Sequence, residues 1–211
     1  MVMKFKYHYL ILCILWAASA GSAQESTFFG LHVGVNAANL TRTSATDTIS
    51  TSTRTSFMSG GVYEFGLTDY VFLQAEVNYV SHGASFTEGG IDYKVKYDYF
   101  EFPFLILVKI GDNRFKPYLF GGPAIGFRIN AETDATIDGV TFPQDNTGTT
   151  ESMNISYDLG AGLEYAFKSD ILFFGELRNS RGLTNIDKSA DNSSITKTRG
   201  VQILVGGKFG F

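Results

Sequence analysis

An all-β fold, an eight-stranded antiparallel up-and-down transmembrane β-barrel, is what the sequence predicts. Three observations carry it. Apolar and polar residues alternate with a period of two in eight segments, no segment shows a helical period, and the connections alternate between short and long.

The clearest segment is SMNISYDLGAGLEYAF. Met153, Ile155, Tyr157, Leu159, Ala161, Leu163, Tyr165 and Phe167 share one parity, and Asn154, Ser156, Asp158, Gly160, Gly162 and Glu164 share the other. Successive strand side chains point to opposite faces, so this stretch has one apolar face and one polar or glycine face. A helix would scatter the same residues around its axis. In chain order, the other segments are Phe28 to Leu40, Thr55 to Leu67, Tyr70 to Ser81, Tyr93 to Ile110, Phe115 to Asn130, Ile171 to Ser180 and Thr198 to Phe211. In the fourth, Tyr93, Val95, Tyr97 and Tyr99 hold the apolar parity, which then passes to Phe102, Phe104, Ile106 and Val108. One extra residue restores the phase, so a β-bulge is expected near Tyr99 and Phe100.

Turns are tight at Thr68-Asp69, from Gly111 to Arg114, and at Ser169-Asp170. The other connections, TRTSATDTISTSTR, HGASFTEGGID, AETDATIDGVTFPQDNTGTTE and RGLTNIDKSADNSSITK, are long and polar. In an up-and-down sheet all four long connections emerge at one end, the asymmetry of an outer-membrane barrel with short periplasmic turns and long extracellular loops.

The chain has 211 residues, 23 of them Gly, with 15% aromatic content, and one domain suffices. The start, MVMKFKYHYLILCILWAASAGSAQ, combines basic Lys4 and Lys6, a short apolar run and small residues up to Ala23. It is the order of a secretory signal peptide, expected over 1–23, with the barrel domain over 24–211. The apolar run falls short of the ~20 residues that a spanning helix needs. The single cysteine, Cys13, would leave with the signal, so no disulfide or cysteine-based metal site is expected. Loss of Lys4 and Lys6 takes 17 basic residues to 15 against 21 acidic, moving the formal charge from −4 to −6. That balance argues against nucleic acid as a partner.

A soluble lipocalin-like barrel alternates too, with its apolar side inward. Here the polar parity carries Gly, Ser, Asn and charges of both signs, suited to the crowded lumen of a narrow barrel, and the other parity is a continuous apolar band. In hydrocarbon only a helix or a closed sheet satisfies the backbone internally. Tyr79, Tyr93, Tyr97 and Tyr157 at the long-loop side, and Phe29, Phe65, Phe102, Tyr165, Phe167, Phe173 and Phe209 at the other, predict two interfacial girdles.

The expected lumen set is Glu64, Glu76, Glu101, Asp158, Glu164 and Glu176 against Lys109, Lys116, Arg128, Arg178 and Lys208. A paired network fits these near-balanced charges better than a catalytic carboxylate pair, because unpaired buried charge is costly and the carboxylates are spread over six strands. His32 points into the lumen, and His82 lies at a loop edge. Neither belongs to a metal-ligand spacing or a nucleophile–base pair evident in the sequence. Asp134, Asp138, Asp145 and Asn146 lack the dense acidic spacing of a calcium loop. No catalytic residue, metal or cofactor is expected. Phe209 and Phe211 end the outward series Val201, Ile203, Val205 and are the expected assembly signal.

The stretches YFEFPFLILVK, PYLFGGPAIGFRI, GAGLEYAF and RNSRGLTNI resemble the outer-membrane β-barrel domain family that includes PorT-like proteins, over about 24–211. The resemblance implies an eight-strand barrel in the bacterial outer membrane, both mature termini periplasmic. Outer-membrane lipid would surround it, and the barrel-assembly machinery would insert it by reading the aromatic final strand. PorT itself is associated with the type IX secretion apparatus. The expected function is non-enzymatic: a structural, surface-interaction or secretion-associated role through the four long loops, with secretion components or surface ligands as partners. The alternatives are a small-solute pore or transporter and a lipid-modifying outer-membrane enzyme.

Overall fold

The computed structural model describes residues 27–44, 48–50, 52–88, 90–111, 114–137, 139–188 and 194–210. The expected signal peptide, Cys13 within it, and Phe211 lie outside the described residues.

Among the described residues, ten strands form one antiparallel sheet: β1 (Thr27–Ser44), β2 (Thr48–Ser50), β3 (Ser52–Gly66), β4 (Val71–Glu88), β5 (Ile91–Lys109), β6 (Phe115–Ile137), β7 (Val140–Asp145), β8 (Met153–Lys168), β9 (Ile171–Gly182) and β10 (Ser194–Gly210). The order β10-β9-β8-β6-β5-β4-β3-β1 closes through β10 and β1, so eight strands form the ring. β2 flanks β1 and β7 flanks β6. The seam is long, running from Phe28↔Gly210 to Ser44↔Ser194. Closure removes the open edges that no membrane core tolerates. No helix long and apolar enough to cross a membrane occurs among the described residues.

Outside the ring, Phe29, Leu31, Val33 and Val35 on β1 and Val201, Ile203, Val205 and Phe209 on β10 are exposed, an apolar wall in register from Phe29↔Phe209 to Ala37↔Val201. At ~3.3 Å per residue and a tilt of ~40°, that wall is about 20 Å high, near the height of a hydrocarbon band. Val205 lies midway, and Val205→Arg is expected to cost about 2–4 kcal/mol in lipid vesicles, measured as a lowered urea midpoint. The short-turn girdle forms as expected around Phe29, Phe65, Phe167, Phe173 and Phe209, joined by Phe115 packed on Tyr165 with ring centroids 4.8 Å apart. Phe102 is placed differently: it faces outward one step from Phe100, on the long-loop side of the wall, paired with Ile125 and edge-to-face with Phe127.

The predicted parity change in β5 is where structure and sequence part. The β4–β5 register runs without a shift past Val80↔Tyr99 and His82↔Tyr97, so β5 carries no bulge. A register shift does fall at Asp98 and Tyr99, but against β6, where Asp98 pairs with Asn130 and Tyr99 with Arg128, leaving Ile129 as the extra residue. Side chains of β5 keep their faces throughout. Tyr99 and Val95 are buried inside, and Tyr97 packs inward against the cluster of Leu40, Ala84, Val95 and Ile186. What changes is the surroundings. Within the bilayer the apolar side must face out; above it the outside is water, so the apolar side turns in, as in a soluble barrel. Tyr93 and Tyr97 therefore leave the expected upper girdle, and outward Tyr157 and Tyr79, the latter edge-to-face with Phe100 at 6.3 Å, remain.

Much of the expected loop length is strand as well. β4, β5 and β6 continue to Glu88, from Ile91 and to Ile137, and β7 pairs with β6 from Ile137↔Val140 to Glu132↔Asp145. Beyond the hydrocarbon either face can be polar, so the ladder continues through residues whose side chains no longer alternate by hydropathy.

Candidate functional site

The lumen holds ion pairs and hydrogen bonds built from inward residues of every ring strand except β1. At its short-turn end, Lys109 donates to Glu64 at 2.5 Å and to Glu164 at 2.8 Å, and Lys208 donates to the other oxygen of Glu64 at 2.6 Å. Above it, Arg178 donates to both oxygens of Glu76, at 2.7 and 2.9 Å, and to Glu176 at 2.7 Å, with Asp158 at 3.5 Å. Gln74 joins the two tiers: its amide donates to Glu76 at 2.6 Å and its carbonyl accepts from Lys208 at 3.3 Å. Tyr118 donates to Glu176 and Asn78 to Glu76. Higher still, His82 and Glu101 are 2.7 Å apart and both buried.

Three buried cations thus face six buried carboxylates, and the neutral donors Gln74, Asn78 and Tyr118 add hydrogen bonds to Glu76 and Glu176. The expected near-balance does not hold, because two cations lie elsewhere. Arg128 sits at the long-loop rim, where it donates to the backbone carbonyls of Thr147, Thr150 and Glu151 and fixes that loop. Lys116 is half-buried toward the short-turn rim and makes no ion pair with a described residue. Glu64, Glu76, Glu101, Lys109, Asp158, Glu164, Glu176, Arg178 and Lys208 are all buried inside. His82, placed at a loop edge by sequence, lies within β4 and inside the barrel, since β4 extends beyond Ser81.

Sequence reasoning missed the aromatic half of this lumen. Phe72, Leu105, Leu107, Tyr118 and Phe120 form a buried cluster among the charges. The Lys109 ammonium stands 4.2 Å from the Phe72 ring centroid, Lys208 4.5 Å from Phe174, and Arg178 5.2 Å from Phe120. A cation between carboxylates and a ring face keeps favourable electrostatics on every side after leaving water. The signal was present: Tyr118 and Phe120 share the parity of Lys116 and Gly122.

Glycines make room for the rings. A side chain at Gly162 would meet the Tyr118 ring, and one at Gly160 the Phe120 ring. Gly162→Val is expected to displace Tyr118 from Glu176 and to lower stability by about 1–3 kcal/mol, read as a lower melting temperature by circular dichroism.

His32, buried in the lumen, meets Phe174 edge-to-face at 6.3 Å. Among the described residues no group of three or more His, Cys, Asp or Glu side chains could hold a metal ion. Chemically, the network is a cork. Cations bridge the carboxylates across the lumen and neutralise part of their charge, and aromatic rings occupy the space between them.

A closed antiparallel ring with an apolar outer band, an aromatic girdle and a charged, filled interior defines an outer-membrane-type β-barrel. The chain belongs to the outer membrane protein beta-barrel domain family, whose match covers residues 22–188. It is similar in fold to the outer membrane protein OprG from Pseudomonas aeruginosa (12% identity, 90% of this chain and 98% of that one, TM-score 0.51). The outer membrane protein AlkL is similar too (12% identity, 92% and 93%, TM-score 0.50). Neisserial surface protein A is matched with 13% identity over 87% and 97% of the two chains at a TM-score of 0.45. No curated protein matches the sequence.

Proposed function

We propose that this outer-membrane barrel is a non-enzymatic surface-interaction protein whose partner surface is the strand extension at its long-loop end. A secretion-associated role of the PorT-like kind is the specific case. The extension faces the cell exterior, and both mature termini face the periplasm. Phe209, in the short-turn girdle, serves together with Phe211 as the signal read by the barrel-assembly machinery.

One observation carries the reading. Above the hydrocarbon band, β4 to β7 form a four-stranded flap with opposite chemistries on its two faces. Phe86↔Tyr93, Tyr93↔Ala135 and Ala135↔Phe142 are directly paired, so these residues share the inner face, and Ile137↔Val140 continues it. Phe86 stacks on Tyr93 at 5.1 Å, while Ile137, Val140 and Phe142 are exposed. The opposite face is polar: Thr87 donates to Asp92, and Thr136 and Thr141 are bonded at 3.1 Å. An apolar sheet face standing in water suits a protein partner. The corked lumen below supports interaction rather than solute passage.

Photo-crosslinkers placed separately at Phe142 and Thr141 in intact cells test this. Discrete adducts from Phe142 alone, together with negligible conductance in planar bilayers, are expected. Adducts from neither position, or from both equally, or a stable channel, would overturn the reading. For the secretion-associated case, deleting 138–145 should reduce exported cargo at unchanged barrel levels, and unchanged export would remove that case.

A further inference from the structure

We propose that Arg181 and Arg199, with Lys197 beside them, form a binding site on the outer wall for the phosphate of an anionic lipid headgroup. The lipid lies in the leaflet on the long-loop side.

The register places these cations. On β10 the outward parity runs Phe209, Val205, Ile203, Val201 and then Arg199 and Lys197; on β9 it runs Phe173, Leu177, Asn179 and then Arg181. Arg199 and Arg181 are directly opposite one another, and both are exposed. Cross-strand like charges in direct opposition repel, so the pair destabilises the wall unless an anion lies between them. Among the described residues, no carboxylate stands in this row. Outward neighbours in the same row are Tyr157 on β8 and Asn39 on β1, with Thr41 opposite Lys197. Neither arginine forms an ion pair with a carboxylate among the described residues. Arg181 Nε donates to Asn179 at 3.0 Å, which holds its guanidinium against the wall.

The other side of the same rim is built in the opposite way. There the outward residues of β5 and β6 are matched by sign, Lys94↔Asp134 and Lys96↔Glu132. Among the described residues, charge in this wall is therefore matched by sign on β5 and β6 and unmatched on β9 and β10.

Height selects the ligand. The row Tyr157, Arg181, Arg199 lies one step above Leu159, Asn179, Val201, and two steps above the wholly apolar row Ala161, Leu177, Ile203. Each step of two residues raises a tilted strand by about 5 Å. The guanidinium groups thus leave the hydrocarbon where headgroups begin, beside Tyr157, a residue type enriched at that depth. Paired guanidinium forks match phosphate oxygens bidentately, and an ammonium adds a third donor.

The test uses the refolded barrel in dodecylphosphocholine micelles, with didecanoyl phosphatidic acid as the probe and didecanoyl phosphatidylcholine as the comparison, and lipid retained on the barrel is counted by native mass spectrometry. Wild type should retain the acidic lipid about tenfold over the zwitterionic one. Arg181→Gln/Arg199→Gln should abolish that preference, whereas Lys94→Gln/Lys96→Gln should keep it. Folding of each variant is read from its heat-dependent gel shift; if the double variant does not fold, Arg199→Gln alone should cut the preference severalfold. No preference in wild type, retention by the arginine variants, or equal loss in the lysine control would overturn the site. Competition by equimolar inorganic phosphate would make the ligand soluble phosphate and would likewise overturn it.

Discussion

Arg178→Met is expected to be the most damaging single substitution in the barrel, lowering its stability by about 3–5 kcal/mol. Arg178 is 1% exposed and contacts Glu76, Glu176 and Asp158 from one guanidinium. Methionine fills a similar volume, so packing against Phe120 is largely preserved and the loss is electrostatic: three carboxylates remain in the lumen with their shared cation removed. Urea titration in lipid vesicles reads the loss. The same variant carrying Glu76→Gln and Glu176→Gln should recover a substantial part of it, because neutral amides no longer need the cation. If the triple variant were as unstable as Arg178→Met alone, Arg178 would act through shape and not through charge.

Glu64→Ala comes next, at about 3 kcal/mol or more. Each carboxylate oxygen of Glu64 serves a different lysine, Lys109 or Lys208, and Glu164 is the carboxylate left to both. Its removal leaves two ammonium groups competing for one partner against the faces of Phe72 and Phe174. A faster loss of the compact band on heating should accompany a lower urea midpoint. Glu64→Ala/Lys109→Met is expected to be more stable than Glu64→Ala, since a single lysine then retains Glu164 to itself. The two substitutions belong to one bonded cluster, so their effects should be clearly non-additive, and simple addition would argue against the network.

Several features of this protein were legible from residue order alone. Met153 to Phe167 declares its outward face because hydrocarbon on one side and a narrow lumen on the other leave no freedom in parity. The same logic placed Glu64, Glu76, Arg178 and Lys208 inside before any pairing was known. It failed at Tyr93, Val95 and Tyr97, where water replaces lipid outside and the apolar face turns inward without any change in the strand. Arg128 fell to a related cause. It keeps lumen parity, but its height along β6 takes it to the rim, where loop carbonyls claim it.

Residue order by itself therefore determined the barrel class, the membrane-facing parity and the sign of the lumen charges, because these follow from a period of two and from hydropathy, which are local. Only the tertiary structure decided which cation meets which carboxylate, which glycine admits which ring, that much of the long connections is strand, and that Arg181 and Arg199 stand opposed. These depend on register and height between strands distant in sequence, such as Glu64 and Lys208, and no local pattern encodes the stagger with which a closed sheet aligns them.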